Sequence, residues 1–129
     1  MTRRAAQTIL HDRQIAYAIT DRQLNIIEVS GASSSLQAWL RNWMGRPLTE
    51  VMPELVGNEE ALADVLTGEL PRFQLSYINR DLPDGRTAYL DIIDLPYTDD
   101  AGSIIGLIHV IQDVTEVGKL EQRLTQQRN

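Results

Sequence analysis

Two histidines, His11 and His109, and two close aspartate pairs, Asp91 with Asp94 and Asp99 with Asp100, are the residues whose types and spacing invite acid–base or metal chemistry. Asp99 and Asp100 belong to an Asp-Asp-Ala-Gly turn, where solvated carboxylates are the plain expectation. Asp91 and Asp94 lie three apart on a strand, so a regular pleat sends them to opposite faces and they cannot line one site together. The register against Leu90 and Ile92 makes Asp94 the inward one, in a hydrogen-bonded structural role. His109 shares a strand face with Leu107 and Ile111. An imidazole there is either a core histidine bonded to a backbone carbonyl or a neighbouring acid, or an anchor for a ligand. Ser33, Ser34 and Ser35 precede a helical pattern, and helix capping explains them better than nucleophilic catalysis with no histidine nearby. Trp39 and Trp43 could stack on a ligand, yet their spacing with Leu36 and Leu40 matches ordinary core burial.

Other chemistries are excluded by what the chain lacks. There is no Cys, which removes disulfides, thiolate zinc and cysteine nucleophiles and fits a reducing compartment. No Gly-rich phosphate loop, His-Glu-x-x-His, Gly-x-Ser-x-Gly or EF-hand loop is present, so the chain does not read as an enzyme. A net charge of −6 with eleven scattered Arg and one Lys argues against nucleic acid, which demands a basic stripe. The longest apolar run, Ile104 to Ile111, is broken by Gly106 and His109 and is far short of a membrane span. The N-terminus lacks the sustained apolar core of a secretory signal. A cytoplasmic domain is expected, and 129 residues suffice for one core.

The elements that must position these residues follow from periodicity. Ile15, Tyr17 and Ile19 alternate with smaller residues, stop at Thr20 to Gln23, and lead to a second apolar run, Leu24 to Val29, which reads as a hairpin. Leu36, Trp39, Leu40 and Trp43 recur at helical spacing and Gly45 is expected to end that helix. Pro47 and Pro53 restrict the next stretch to a turn or two. Asn58, with Glu59 and Glu60 behind it, should cap a helix that Gly68 closes. Phe73, Leu75 and Tyr77 alternate up to the Pro83-Asp84-Gly85 turn. A strand resumes near Thr87 and is expected to stop at Pro96, and a last strand covers Ile104 to Gln112. Asp113 as N-cap with Glu116 at the third helical position should start a helix, and Val117, Leu120 and Leu124 continue it as a narrow coiled-coil-like seam.

Ile19-Thr20-Asp21, Pro83-Asp84-Gly85, the Gly102-to-Gly106 strand start and the Asp113-Val114-Thr115 terminus, in this order, resemble a PAS domain from about Gln14 to Glu116. One position departs: Ser30 stands where the family usually has Asn after its second strand. The resemblance implies an α+β fold, a five-stranded antiparallel sheet with helices packed on one face, flanked by N- and C-terminal helices. The divisions are residues 1–13, a flanking helix; 14–116, the PAS domain; and 117–129, the start of a signalling helix. The family's cavity implies a pocket lined by Tyr17, Trp39, Trp43, Phe73, Leu75, Leu90, Ile92, Leu107, His109 and Ile111. Asp113 and Thr115 become candidates for signal relay.

PAS domains are sensory or interaction modules joined to outputs such as histidine kinases or diguanylate cyclases, so an effector domain beyond the C-terminus and a homodimer are the implied partners. Ile9, Leu10, Val117, Leu120 and Leu124 are the dimer candidates. The flavin photoreceptor type needs a reactive Cys, as does a thioester-linked chromophore, so neither covalent cofactor is expected. Haem would take a His from the helix before the third strand, and Glu59 to Thr67 has none. No metal is expected; a non-covalent small ligand is compatible with the pocket. Two alternatives stand: a purely structural interaction domain with a packed core, and a small cone-shaped α+β enzyme using His109 and Asp94 as an acid/base pair.

Overall fold

A computed structural model describes residues 2–30 and 34–128. Helix α1 (Arg3–Asp12) leads to strands β1 (Ile15–Thr20) and β2 (Ile26–Ser30). Then come α2 (Ser34–Leu40), α3 (Leu48–Val51), a 3₁₀ turn (Pro53–Leu55) and α4 (Glu59–Thr67). Strands β3 (Phe73–Asp81), β4 (Thr87–Thr98) and β5 (Ile104–Asp113) follow, and α5 (Thr115–Arg128) closes the chain. The strands form one antiparallel sheet in the order β2-β1-β5-β4-β3, so the last strand is the central one. Apolar residues of the middle helices, among them Leu36, Leu40, Leu62 and Val65, bury against Leu90, Ile92, Leu107 and Ile111 of the sheet in a single cluster. This is the α+β architecture that the element order implied.

Several boundaries differ from the sequence reading, each for a local reason. Ser33 lies outside the described residues. Helix α2 ends at Leu40, and Trp43 reaches the core from the following turn, its N–H donating to the Leu40 carbonyl at 3.0 Å. Gly45, in the left-handed region at φ +78°, donates from its N–H to the Ile26 carbonyl, which fastens this loop to β2. Asn58 occupies the N-cap of α4 without a side-chain cap bond, because its amide donates to the Glu54 carbonyl instead. Strand β4 runs through Pro96 to Thr98. Its ladder with β3 reaches only to the Phe73–Asp94 pair, so Pro96 needs no N–H on that side. Helix α5 starts at Thr115, which puts Asp113 one residue before the cap position and Glu116 in the first turn.

The pleat of β1 is opposite to what its bulky residues suggested. Ala16 pairs with Ile111 and Ala18 with His109, both alanines are fully buried in the core, and Tyr17 pairs with Val110 on the other face. Residues directly opposite in a ladder share a face. Tyr17 therefore does not line the interior; it is half-buried on the outer face, its hydroxyl 3.5 Å from Glu28 Oε2. The helical layer lies over the two alanines, and Ile15, Tyr17 and Ile19 go outward. Near the start of β5, Gly106 packs against the end of β1 so closely that a Cβ there would sit 1.8 Å from the Thr20 carbonyl oxygen. The Thr20 hydroxyl, fully buried, accepts from the Leu107 N–H at 3.1 Å.

Candidate functional site

The buried polar centre of the molecule is built on the two middle strands. Asp94 of β4 and His109 of β5 are direct partners in the ladder, in a row that continues to Ala18 and Val29 on one side and to Phe73 on the other. Both side chains are 0% exposed, and His109 Nδ1 lies 2.6 Å from Asp94 Oδ1. A buried pair survives because each group supplies the other's partner, and removing either strands a polar group in an apolar interior. The pairing is incomplete. Among the described residues nothing hydrogen-bonds Asp94 Oδ2 or His109 Nε2.

A column of rings and charges runs from this pair to the surface. The Trp43 ring is tilted 43° to the imidazole at 6.4 Å between centroids, and Trp39 meets Trp43 edge-on at 4.9 Å. The Arg80 guanidinium lies over Trp39, 5.1 Å from its centroid, a cation–π arrangement. Arg80 Nη1 also donates to both carboxylate oxygens of Glu54 at 2.6 and 2.7 Å, and Nη2 donates to the Val51 carbonyl. Strand β3 is thus clasped to the 3₁₀ turn directly over the tryptophans. Arg80 and Glu54 were not visible as a pair in the sequence, because they lie twenty-six residues apart with no periodic relation.

Of the pocket candidates, Trp39, Trp43, Leu90, Ile92, Leu107 and Ile111 are buried in the core cluster with His109 among them, and Phe73 and Leu75 pack partly buried against it. Tyr17 is excluded by its face. Asp91 lies on the outer face and accepts from the Tyr77 N–H at 2.8 Å, which supports a β-bulge where Tyr77 adopts φ +55°. Asp99 accepts from the Ala101 and Ser103 N–H groups and so holds its turn. Among the described residues no group of three acidic, His or Cys side chains is placed to hold a metal. None of the described helices is long and apolar enough to cross a membrane.

The second constellation is the joint between sheet and exit helix. Asp113 Oδ1 accepts from the Thr115 N–H at 3.0 Å and from the Thr115 hydroxyl, and the Tyr89 N–H donates to Thr115 Oγ1 at 3.2 Å. Asp113 Oδ2 accepts from Arg86 Nη2 at 3.0 Å, and the Asp113 N–H donates to the Gln14 carbonyl. The joint therefore ties together the link between α1 and β1, the β3–β4 turn, β4 and α5. A cleft of about 390 Å³ opens beside it, between Gln14, Arg86 and Glu116. Ile9, Leu120 and Leu124 are exposed by 49%, 50% and 44%, and Leu10 is half-buried; the Val117 side chain lies outside the described residues.

With this geometry in place, comparison with known proteins is informative. The sequence model described as PAS fold matches residues 10–118. The chain is similar to the crystal structure of the PAS domain of a protein from Colwellia psychrerythraea, with TM-score 0.63 and 16% identity over 88% of this chain and 97% of that one. It is similar to a sensory box sensor histidine kinase from Vibrio cholerae, with TM-score 0.56 and 20% identity over 87% and 91% of the two chains. It is also similar to VqmA in the Vibrio cholera VqmA–ligand–DNA complex, with TM-score 0.58 and 20% identity, covering 97% of this chain and 59% of that one. No curated protein matches.

Proposed function

Since the chain belongs to the PAS-fold family, whose sequence model spans residues 10–118, we propose that it is a cytoplasmic sensory and dimerisation module of a signal-transduction protein. A histidine kinase or a diguanylate cyclase is the kind of output it would serve, attached beyond α5. The input is a small molecule held non-covalently in the core. The output is the geometry of α5 in a homodimer whose apolar seams are Ile9 and Leu10 at one end and Val117, Leu120 and Leu124 at the other. The net charge of −6 disfavours direct contact with nucleic acid.

The observation that carries this reading is the joint. His109 and Asp113 belong to the same central strand, and Asp113 holds the first residue of α5 through both N–H and hydroxyl while Arg86 and Gln14 hold Asp113. A displacement of β5 at His109 has a short, hydrogen-bonded path into the exit helix. The structural relatives that include a Vibrio cholerae sensor histidine kinase and VqmA in a complex with ligand and DNA support the same role.

Hydrogen exchange on the Asp113→Ala/Thr115→Ala variant tests the coupling. Protection in the first turns of α5 should fall while the amides of Leu107 to Ile111 stay protected as in the parent chain. Unchanged protection in α5 would remove the joint as the relay.

A further inference from the structure

Two apolar surfaces of the protomer fit one another, and we infer that the outer face of the sheet is the docking surface for helix α1 of a second copy of this chain. Two protomers would then exchange their α1 arms across a two-fold axis. The inference rests on the homodimer reading above and says which surfaces meet.

The middle helices cover one face of the sheet only. On the other face Ile15, Tyr17, Val110, Ile108, Ile93 and Leu95 follow from strand to strand through the β1–β5–β4 ladders, all of them half-buried. Helix α1 carries Ala5, Ala6, Ile9 and Leu10 on one side at helical spacing, yet no residue of α1 is buried. Its own sheet therefore leaves that stripe uncovered. The root of the helix is nonetheless held: the Gln14 carbonyl accepts from the Asp113 N–H at 3.0 Å, and the Arg13 carbonyl accepts from Gln112 Nε2 at 3.1 Å. A fixed arm with a bare apolar side, beside a bare apolar face, has the marks of an interaction surface.

Charge and spacing select the occupant. Glu28 and Asp91 stand on the outer face, and no Lys or Arg occupies its rows among the described residues. The α1 stripe is flanked by Arg3 and Arg13, both exposed. Glu28 and Asp91 lie three strands and four residues apart, roughly 14 Å across and 13 Å along the sheet, or about 19 Å on the diagonal. Arg3 and Arg13 are about 15 Å apart along the helix axis, and their long side chains make up the difference. A helix laid on that diagonal crosses Tyr17 and Val110 at its middle, where Ala5 and Ala6 allow close approach. A two-fold makes this contact twice, and the short Leu120 and Leu124 seam of α5 closes the same dimer, each contact being marginal alone.

The chain has no Cys, so single introduced cysteines report neighbours without background. Ile9→Cys and Val110→Cys chains, each confirmed folded by its melting curve, are mixed and treated with a short bismaleimide. The mixture should yield crosslinked dimers with one chain of each kind, and either chain alone should yield little. Arg3→Glu/Arg13→Glu should raise the dissociation constant seen in sedimentation by about tenfold, and adding Glu28→Arg should restore part of the loss. An unchanged dissociation constant in the double arginine variant overturns the inference. Crosslinks only between two Ile9→Cys chains would put α1 against α1, and crosslinks only between two Val110→Cys chains would put sheet against sheet. A dimer that crosslinks in none of these ways has its interface elsewhere. Each of these results overturns the docking of α1 on the sheet and leaves the homodimer reading standing, whereas a parent chain that sediments as a monomer overturns both.

Discussion

Replacing His109 by leucine should cost far more than the loss of one contact. The side chains of Asp94 and His109 are 0% exposed, and the 2.6 Å bond to Nδ1 is the one hydrogen bond that satisfies the aspartate in the interior, since Oδ2 has no partner among the described residues. His109→Leu therefore leaves a carboxylate buried with no partner on either oxygen. Breaking a buried pair from one side costs about 3–5 kcal/mol, a fifth or more of the roughly 5–15 kcal/mol that holds a domain of this size. The melting temperature should fall by roughly 10–20 °C. Replacing both partners by apolar residues removes the stranded charge, so Asp94→Val/His109→Leu should recover about 3 kcal/mol or more relative to His109→Leu alone. Urea denaturation and thermal melting of the two single variants, the double variant and the parent close the cycle. If the double variant is no more stable than His109→Leu, or if His109→Leu melts with the parent, the pair does not hold the core as described.

Three further outcomes follow from separate features. Gly106→Ala must push a methyl into the Thr20 carbonyl, 1.8 Å away, so β1 and β5 have to part; a loss of about 1–3 kcal/mol or more should appear in thermal melts, and a neutral substitution would contradict the close approach. Arg80→Gln removes the clasp on Glu54 and the cation over Trp39, and should cost about 1–3 kcal/mol with a change in tryptophan fluorescence; unchanged emission would show that the guanidinium does not sit on the ring. Leu120→Asp/Leu124→Asp should convert a sedimenting dimer to monomer with the melting curve of the fold retained, and a dimer that persists would remove the α5 seam as an interface.

The parts of the fold that were legible in the sequence are those fixed by local chemistry. Gly68 closes α4 in the left-handed conformation, Pro83 to Gly85 turns β3 into β4, and the inward register of His109 and Asp94 follows from strand period alone. What was not legible depends on contacts distant in sequence. Strand β1 alternates large and small residues, and either set can face inward; only the helical layer over Ala16 and Ala18 decides, which is why Tyr17 was assigned to the wrong face. Pro96 reads as a strand end, yet the shortness of the β3 ladder leaves its missing N–H without consequence. The Glu54–Arg80–Trp39 clasp joins three elements, and no spacing within one element announces it.

Native mass spectrometry of the freshly purified chain tests the sensory claim most directly. The account predicts a homodimer that carries a small molecule in stoichiometric amount, released on unfolding. A dimer that flies empty, with no small molecule released on unfolding, would contradict it and leave a packed interaction module in its place.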